Sequence, residues 1–211
     1  MPSSETPPAR SPRPRPRRSR HAGLEPRAVD RVLALALGHG AREPSPAQPR
    51  RLAALLRDLA RPKPSRDPDE IEEMIWALWI SHDEPEAAAA MVAACEAMSE
   101  GEVELAVPLL ERLCESHPGW AEAWNKRATA AFILEDDRAA LDGIERALAL
   151  EPRHFGAVSG FAQICARHAL PREALAAFSV ALELNPHLEG VRETMAELAA
   201  AVAGSRAQRL N

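Results

Sequence analysis

The side chains that could do chemistry are histidines and cysteines scattered through the chain. Its seven histidines are His21, His39, His82, His117, His154, His168 and His187, and its three cysteines are Cys95, Cys114 and Cys165. None of the histidines lies at metal-ligand spacing from a cysteine or carboxylate, and no HExxH, GxSxG or glycine-rich phosphate loop occurs. We therefore predict turn and surface roles for the histidines, with no metal site, no cofactor, no catalytic residue and no small-molecule substrate. The scattered cysteines fit a reducing compartment better than a disulfide framework.

The elements that position these side chains are predicted by a repeat. The segments "ALALEP" (147 to 152) and "ALELNP" (181 to 186) end in prolines 34 residues apart, and Pro118 continues the register backwards. Alanines recur with the same period, at Ala94, Ala128 and Ala162 and again at Ala106, Ala140 and Ala174. Small residues let helices approach closely, and a helix pair that cannot cover its own apolar face is stabilised by stacking on further copies.

The repeat divides the chain into four parts. We predict a disordered lead (1 to 47), leading helices that pack on the repeats (48 to 86), three repeats (87 to 120, 121 to 154 and 155 to 188), and a C-terminal capping helix with a tail (189 to 211). Within the lead, residues 29 to 40 have the pattern of a short helix ending at Gly38. Asp67 before Pro68, Asp83, and the pair Asp136 and Asp137 are predicted helix caps, and Gly101 a helix stop.

The register of alanines and prolines, with Trp124 at position 4 of the second unit, resembles the tetratricopeptide repeat (TPR). This resemblance implies an all-α solenoid of helical hairpins. The chain departs from the family pattern at position 8, where alanine replaces glycine, and at position 11, where Ala97, Ala131 and Cys165 replace tyrosine. The segments "EIEEMIWALW" and "AEAWNKRATA" are similar to an uncharacterised group of alphaproteobacterial TPR proteins.

The resemblance implies that the first helix of each pair lines a concave groove. The candidate groove residues are Met91, Cys95, Met98, Glu122, Asn125, Thr129, Phe132, Ser159 and Gln163. They would hold an extended or helical peptide through amide hydrogen bonds and apolar contacts, or they are simply solvated residues on an inner helix face. The lysines, asparagines and arginine with which some TPR domains clamp a C-terminal carboxylate are absent, since Met91 and Cys95 stand at two of those positions.

Two tryptophans precede the repeats, Trp76 and Trp79. They form a partner-binding patch or, as the simpler interpretation, pack against the first repeat as a cap. Trp124 is predicted to lie in the core.

Charge separates the chain into a basic lead and an acidic body. Residues 1 to 66 carry 15 basic and 5 acidic side chains, whereas residues 67 to 204 carry 9 basic and 26 acidic ones, a net charge of -17. The body therefore favours a neutral or basic peptide segment as partner. The arginine-rich lead would bind nucleic acid or an anionic membrane, or it is a solvated tail resting on the acidic body.

These features predict a non-catalytic scaffold or adaptor that binds another protein. The alternative is a nucleic-acid- or membrane-associated factor recruited through the lead. Residues 27 to 41 bear on location, because their apolar run from Val32 to Leu37 is short for a signal peptide. We expect a cytoplasmic protein, or a periplasmic one if this segment is a degenerate signal sequence.

Overall fold

The computed structural model describes residues 23 to 41 and 50 to 208, with side chains through Gly204. Within these ranges the chain forms ten α-helices and one short 3-10 turn, with no strand. The helices are α1 Pro26–Leu37, α2 Arg50–Leu59, α3 Pro68–Ile80, α4 Pro85–Ser99, α5 Val103–Ser116, α6 Ala121–Ile133, α7 Asp137–Leu150, α8 Phe155–Arg167, α9 Pro171–Leu184 and α10 Val191–Gln208. None of the described helices is both long and apolar enough to cross a membrane.

Three successive helical hairpins form the body: α4 with α5, α6 with α7, and α8 with α9. The second helices begin 34 residues apart, at Val103, Asp137 and Pro171, and end at the same interval. The alanines at positions 8 and 20 of every unit are at most 2% exposed, as expected where two backbones approach closely. The predicted all-α, TPR-type solenoid is therefore confirmed.

Three of the helix-end residues predicted from the sequence, Asp67, Gly101 and Asp136, act as predicted. The Asp67 side chain accepts from the Asp69 amide at 3.0 Å, and Asp136 accepts from the Ala139 amide at 3.1 Å. Gly101 takes a φ of 84° just past α4, a conformation that disfavours residues with a Cβ. Asp83 is not a cap, contrary to prediction, because α4 begins one residue later with Glu84 at its N-cap.

Helix α1 corrects the predicted extent of the disordered lead. It lies across α7 and α9, the second helices of two neighbouring hairpins, and buries Val29, Val32 and Ala36. Arg31 also pairs with Glu145 of α7, with Nε 2.9 Å from Oε1. The short helix predicted to end at Gly38 is confirmed, with that glycine as its C-cap. The rest of the predicted lead, residues 1 to 22 and 42 to 47, lies outside the described residues.

Two hydrophobic cores result from this arrangement. Helices α1, α2 and α3 share a large core with the second and third hairpins, to which Leu52 and Ile75 contribute. The first hairpin has a smaller core of its own, built around Met91 and Leu110 and completed by α6. At the other end, α10 packs on α9 through half-buried side chains such as Met195 and Leu198. The helices before the repeats thus support the later hairpins and bypass most of the first.

Candidate peptide-binding groove

The first helices of the hairpins, α4, α6 and α8, adjoin one another and carry all of the predicted groove residues. The structure separates these residues into two groups. Met91, Glu122 and Asn125 are buried, whereas Thr129 and Gln163 are exposed, and Cys95, Met98, Phe132 and Ser159 lie between these extremes. The buried members include residues near the start of α6, and the accessible ones extend toward the helix ends. Only the second part of the predicted groove is open.

Helix α3 fills the end of the groove where α6 and α8 begin. The Trp76 ring lies on Gly156 of α8 so closely that a Cβ there would be 2.6 Å from the ring. Trp79 stacks on His154, with ring centroids 4.0 Å apart and planes only 9° from parallel. The prediction that these tryptophans cap the first repeat is therefore wrong. They pack mainly where the second repeat meets the third, because α3 runs past the junctions between hairpins.

The same helix contacts both junctions between repeats and the end of the last repeat. Near its start, Glu72 accepts a hydrogen bond from the Asn185 amide at 2.8 Å, just after α9. At its end, the Trp79 carbonyl accepts from the Trp120 indole at 2.7 Å, just before α6. A single helix of 13 residues therefore links the ends of α5, α7 and α9.

A buried polar network lies beneath the two tryptophans. Glu122 and His154 are both fully buried, with Oε2 of the carboxylate 2.8 Å from Nε2 of the ring. Asn125 donates to the same oxygen at 3.0 Å. Lys126 lies 3.3 Å from Oε1, but this contact lacks hydrogen-bond geometry. A buried carboxylate is tolerated only when neighbouring donors and cations compensate it, and here three side chains do so.

The ring nitrogens of His154 have distinct roles. Nδ1 caps α8 by accepting from the Ala157 amide at 3.2 Å. An accepting Nδ1 carries no proton, so the hydrogen-bond pattern assigns the proton to Nε2, which donates to Glu122. The surface role predicted for His154 is therefore wrong. Met91, which lies in the core of the first hairpin, is wrong as an accessible groove residue, and so are Glu122 and Asn125, which are buried beneath the tryptophans. Their polar atoms are used inside the protein.

The open part of the groove is a strip formed by Met98, Thr129, Phe132 and Gln163. The Arg167 guanidinium lies 3.6 Å from the centroid of the Phe132 ring and donates to the Phe132 carbonyl at 3.2 Å. An arginine on an aromatic face is a cation–π contact that holds the ring in place. The strip therefore combines a fixed aromatic ring with the exposed amide of Gln163 and with the Thr129 hydroxyl, which donates to the Asn125 carbonyl at 3.0 Å and can still accept. This combination suits a peptide.

An ion-paired cluster borders this strip. Asp137 accepts from Arg167 Nη1 at 2.9 Å and lies 2.7 Å from His168 Nε2. Asp137 was predicted as a cap with Asp136, but only Asp136 caps α7. The buried carboxylate of Asp137 instead joins α7 to the end of α8.

The cysteine thiols have little nucleophilic character. Burial raises the pKa of Cys114 and of Cys165 to about 12, and burial also raises the pKa of the groove thiol Cys95. Since the thiolate is the reactive form, all three side chains are neutral thiols at neutral pH.

The position of α3 had no signal in the periodicity, because that helix precedes the repeats. The Glu122–His154 pair had a weak signal in the sequence. His154 ends the second unit and Glu122 stands near its beginning, two places that stacking brings to the same end of the hairpins. A histidine and a glutamate at those positions are candidates for a buried pair only once α3 is known to cover them.

Comparison with known proteins identifies the repeat. No family model matches the chain. A TPR repeat-containing protein of Rhizobium etli is 31% identical over 168 residues, covering 78% of this chain and 81% of that protein. Among solved structures, the first TPR of Spaghetti (RPAP3), bound to HSP90 peptide SRMEEVD, has a TM-score of 0.54 and 20% identity, over 57% of this chain and 96% of that one. The period, the hairpins and the relative agree: the chain belongs to the TPR repeat proteins.

Proposed function

We propose that this protein is a non-catalytic interaction scaffold that binds a peptide segment of another protein in the open part of its groove. The observation that carries the proposal is the strip of Met98, Thr129, Phe132 and Gln163 on three adjoining helices. Its side chains are exposed or partly accessible, whereas the polar groups of Glu122 and His154 at the covered end are buried in internal contacts.

The ligand that suits this strip differs from the peptide held by the solved TPR domain. That peptide, SRMEEVD, contains three acidic residues. In this chain the cations at the groove are already engaged. Arg167, which lies on the Phe132 ring of the open strip, donates to Asp137 at 2.9 Å. Lys126, at the covered end, lies 3.3 Å from Glu122 and 5.3 Å from the Trp76 ring centroid. A lysine already engaged inside the protein cannot clamp a ligand carboxylate without giving up these contacts.

Charge favours a neutral or basic segment. Residues 67 to 204 have 9 basic and 26 acidic side chains, and this field repels anions over roughly 8 Å at physiological salt. Glu122 does not contribute a ligand contact because it is buried. The field should act on the association rate, and the apolar contacts of Phe132 and Met98 on the residence time.

A peptide array probed with the full chain tests this function. We expect selection of neutral or basic peptides, with binding lost when Thr129→Lys and Gln163→Lys are combined. Both residues are exposed, so the fold should survive, as circular dichroism would verify. Ser179→Lys, an exposed change on the second helix α9, is the matched control and should bind normally. Selection of acidic peptides, or binding unchanged by the groove variant, would contradict the proposal.

A second candidate, an anionic partner such as nucleic acid or a membrane surface, has one supporting observation. A cavity of about 420 Å³ beside α2 and α3 is lined by Arg51, Arg57, Arg61 and Arg66. Arg61 already faces Asp58 at 3.5 Å, which leaves the cavity less positive than its arginines suggest. Arg51→Glu with Arg57→Glu should abolish binding to duplex DNA or anionic vesicles if this candidate is correct. The exposed Arg138→Glu on α7 is its control.

The packing of α1 also supports retention of residues 27 to 41 in the folded protein. Val32 and Ala36 are fully buried against the repeats. Cleavage of this segment as a signal sequence would remove them, so the packing supports a cytoplasmic rather than a periplasmic protein. The mass of the protein's N-terminal peptide, purified from its host, tests this directly.

A further inference from the structure

Three potential metal ligands meet at the junction between the first and second repeats. They are His82 in the connection from α3 to α4, Glu84 at the N-cap of α4, and His117 at the C-cap of α5. One ligand atom from each lies within 4.8 Å of the others. His117 is 35 residues beyond His82, so no local spacing reveals the group, and the sequence predicts no metal site.

Both imidazoles are held in place before any metal arrives. The His82 and His117 ring centroids are 4.3 Å apart, and the His82 ring also packs on Trp120 at 4.7 Å. Trp120 is itself fixed by its 2.7 Å hydrogen bond to the Trp79 carbonyl. Ligands whose rings are already positioned lose little conformational freedom on binding.

The carboxylate supplies the mobile part of the group. Glu84 Oε2 lies 3.7 Å from His117 Nε2, and the Glu84 side chain is 68% exposed. It is therefore free to swing toward an ion between the two rings. The three ligand atoms need to approach to about 2.0–2.2 Å from the ion, which small side-chain rotations at this exposed site permit.

We propose that His82, Glu84 and His117 bind a divalent late transition metal, zinc above all, with water in the remaining position. Two imidazoles and one carboxylate form a ligand set that zinc accepts, whereas magnesium and calcium prefer oxygen-only sites. The metal would clip the α3–α4 connection to the end of α5. It would thereby fix α3 to the first hairpin, which its tryptophans support least.

Binding has a specific local consequence. In the metal-free chain His82 Nδ1 accepts from the Glu84 amide at 3.1 Å. Coordination through Nδ1 takes that lone pair, and coordination through Nε2 moves the ring proton onto Nδ1. Either route breaks this hydrogen bond, so the Glu84 amide reports on the event.

Calorimetric titration of chelator-treated full chain with zinc chloride tests the proposal. We expect a zinc-binding event that is weakened at least tenfold by His82→Ala and by His117→Ala, and that magnesium does not compete away. His39→Ala is the matched control, because among the described residues the carboxylate that faces His39 is a single one, Glu183 on α9 at 3.3 Å. Equal zinc affinity in all variants, or an equal loss with His39→Ala, would overturn the proposal.

Two further measurements guard against a variant that simply unfolds. Glu84→Gln changes an exposed side chain and should also weaken binding without altering the helical circular dichroism. In the unaltered protein, zinc should shift the Glu84 amide resonance and raise the melting temperature, and neither effect should occur with His117→Ala. A Glu84 amide that does not respond at saturating zinc would contradict the assignment.

Discussion

The junction between the first and second repeats differs sharply from the junction between the second and third. His117 and Glu151 occupy the same repeat position, and so do Trp120 and His154, each pair 34 residues apart. Yet Glu151 and His154 are fully buried, whereas His117 and Trp120 are partly accessible. The repeat thus determines where a side chain lies, and the helix that covers the repeat determines whether that side chain is buried or accessible to a ligand.

Trp79 contacts both junctions in different ways. Its ring stacks on His154 at 4.0 Å, and its carbonyl accepts the Trp120 indole at 2.7 Å. At the buried junction Glu151 is satisfied locally, since Arg153 donates to it through the backbone amide at 2.9 Å and through its guanidinium. At the open junction His82 accepts from the Glu84 amide at 3.1 Å and His117 faces the exposed Glu84 carboxylate at 3.7 Å, two contacts that an ion can replace. The first junction is suited to bind an ion, and the second is already complete.

The largest effect should come from removing the cover on the second and third hairpins. A fragment of residues 67 to 204 contains every repeat but lacks α1 and α2. The structure predicts that its loss of stability is several kcal/mol, because the two valines of α1 and the three leucines of α2 that are buried in the core are each worth about 1.5–3 kcal/mol before the entropy cost of ordering is subtracted. Urea unfolding of the fragment beside the full chain measures it, and equal stability would contradict the assignment of α1 and α2 to the core.

Trp79→Ala should destabilise both junctions at once. The ring is 4% exposed, and truncating a buried aromatic costs about 3–5 kcal/mol. Ala77→Gly, at an exposed position of the same helix, is the control and should cost only about 1 kcal/mol through helix propensity. Chemical denaturation measures the loss of stability in each variant. Equal losses would contradict the packing of the Trp79 ring at the junction between the second and third repeats.

A matched pair of histidine variants separates the junctions. His154→Ala removes one of the two hydrogen-bond donors of the buried Glu122 carboxylate and leaves it only Asn125, so we expect a loss of about 3 kcal/mol. His117→Ala removes a ring whose ion pair is partly solvated, and in the presence of chelator it should cost about 1 kcal/mol or less. Urea unfolding of the two variants measures both losses of stability. A larger loss for His117→Ala than for His154→Ala would contradict the difference between the two junctions.

Two glycines of α8 give the smallest and most local test. Gly156→Ala forces the new Cβ against Trp76 at 2.6 Å, which should cost about 1–2 kcal/mol after the gain in helix propensity. Gly160→Ala meets only Ile144, at 3.7 Å, and should be stabilising by about 0.5 kcal/mol. Thermal unfolding measures both variants, and a Gly156→Ala protein more stable than Gly160→Ala would contradict the packing of Trp76 on Gly156.

The periodicity was sufficient to predict the hairpins, because each repeat is a local unit whose alanines, prolines and caps act over a few residues. It was insufficient for α3, whose Glu72 meets Asn185 across 113 residues. It also misplaced Glu122 and Asn125 in an open groove. A position on the inner helix face is accessible only if nothing covers it, and the covering helix stands outside the repeat.

The buried pair of Glu122 and His154 tests the account most directly, through a double-mutant cycle. Glu122→Leu and His154→Leu should each destabilise the protein, because each deprives a buried polar partner of a hydrogen bond. The double variant should be more stable than the sum of the two losses predicts, with a coupling free energy of about 2 kcal/mol from urea unfolding. A coupling near zero would mean that the two side chains do not meet, and that α3 does not close this end of the groove.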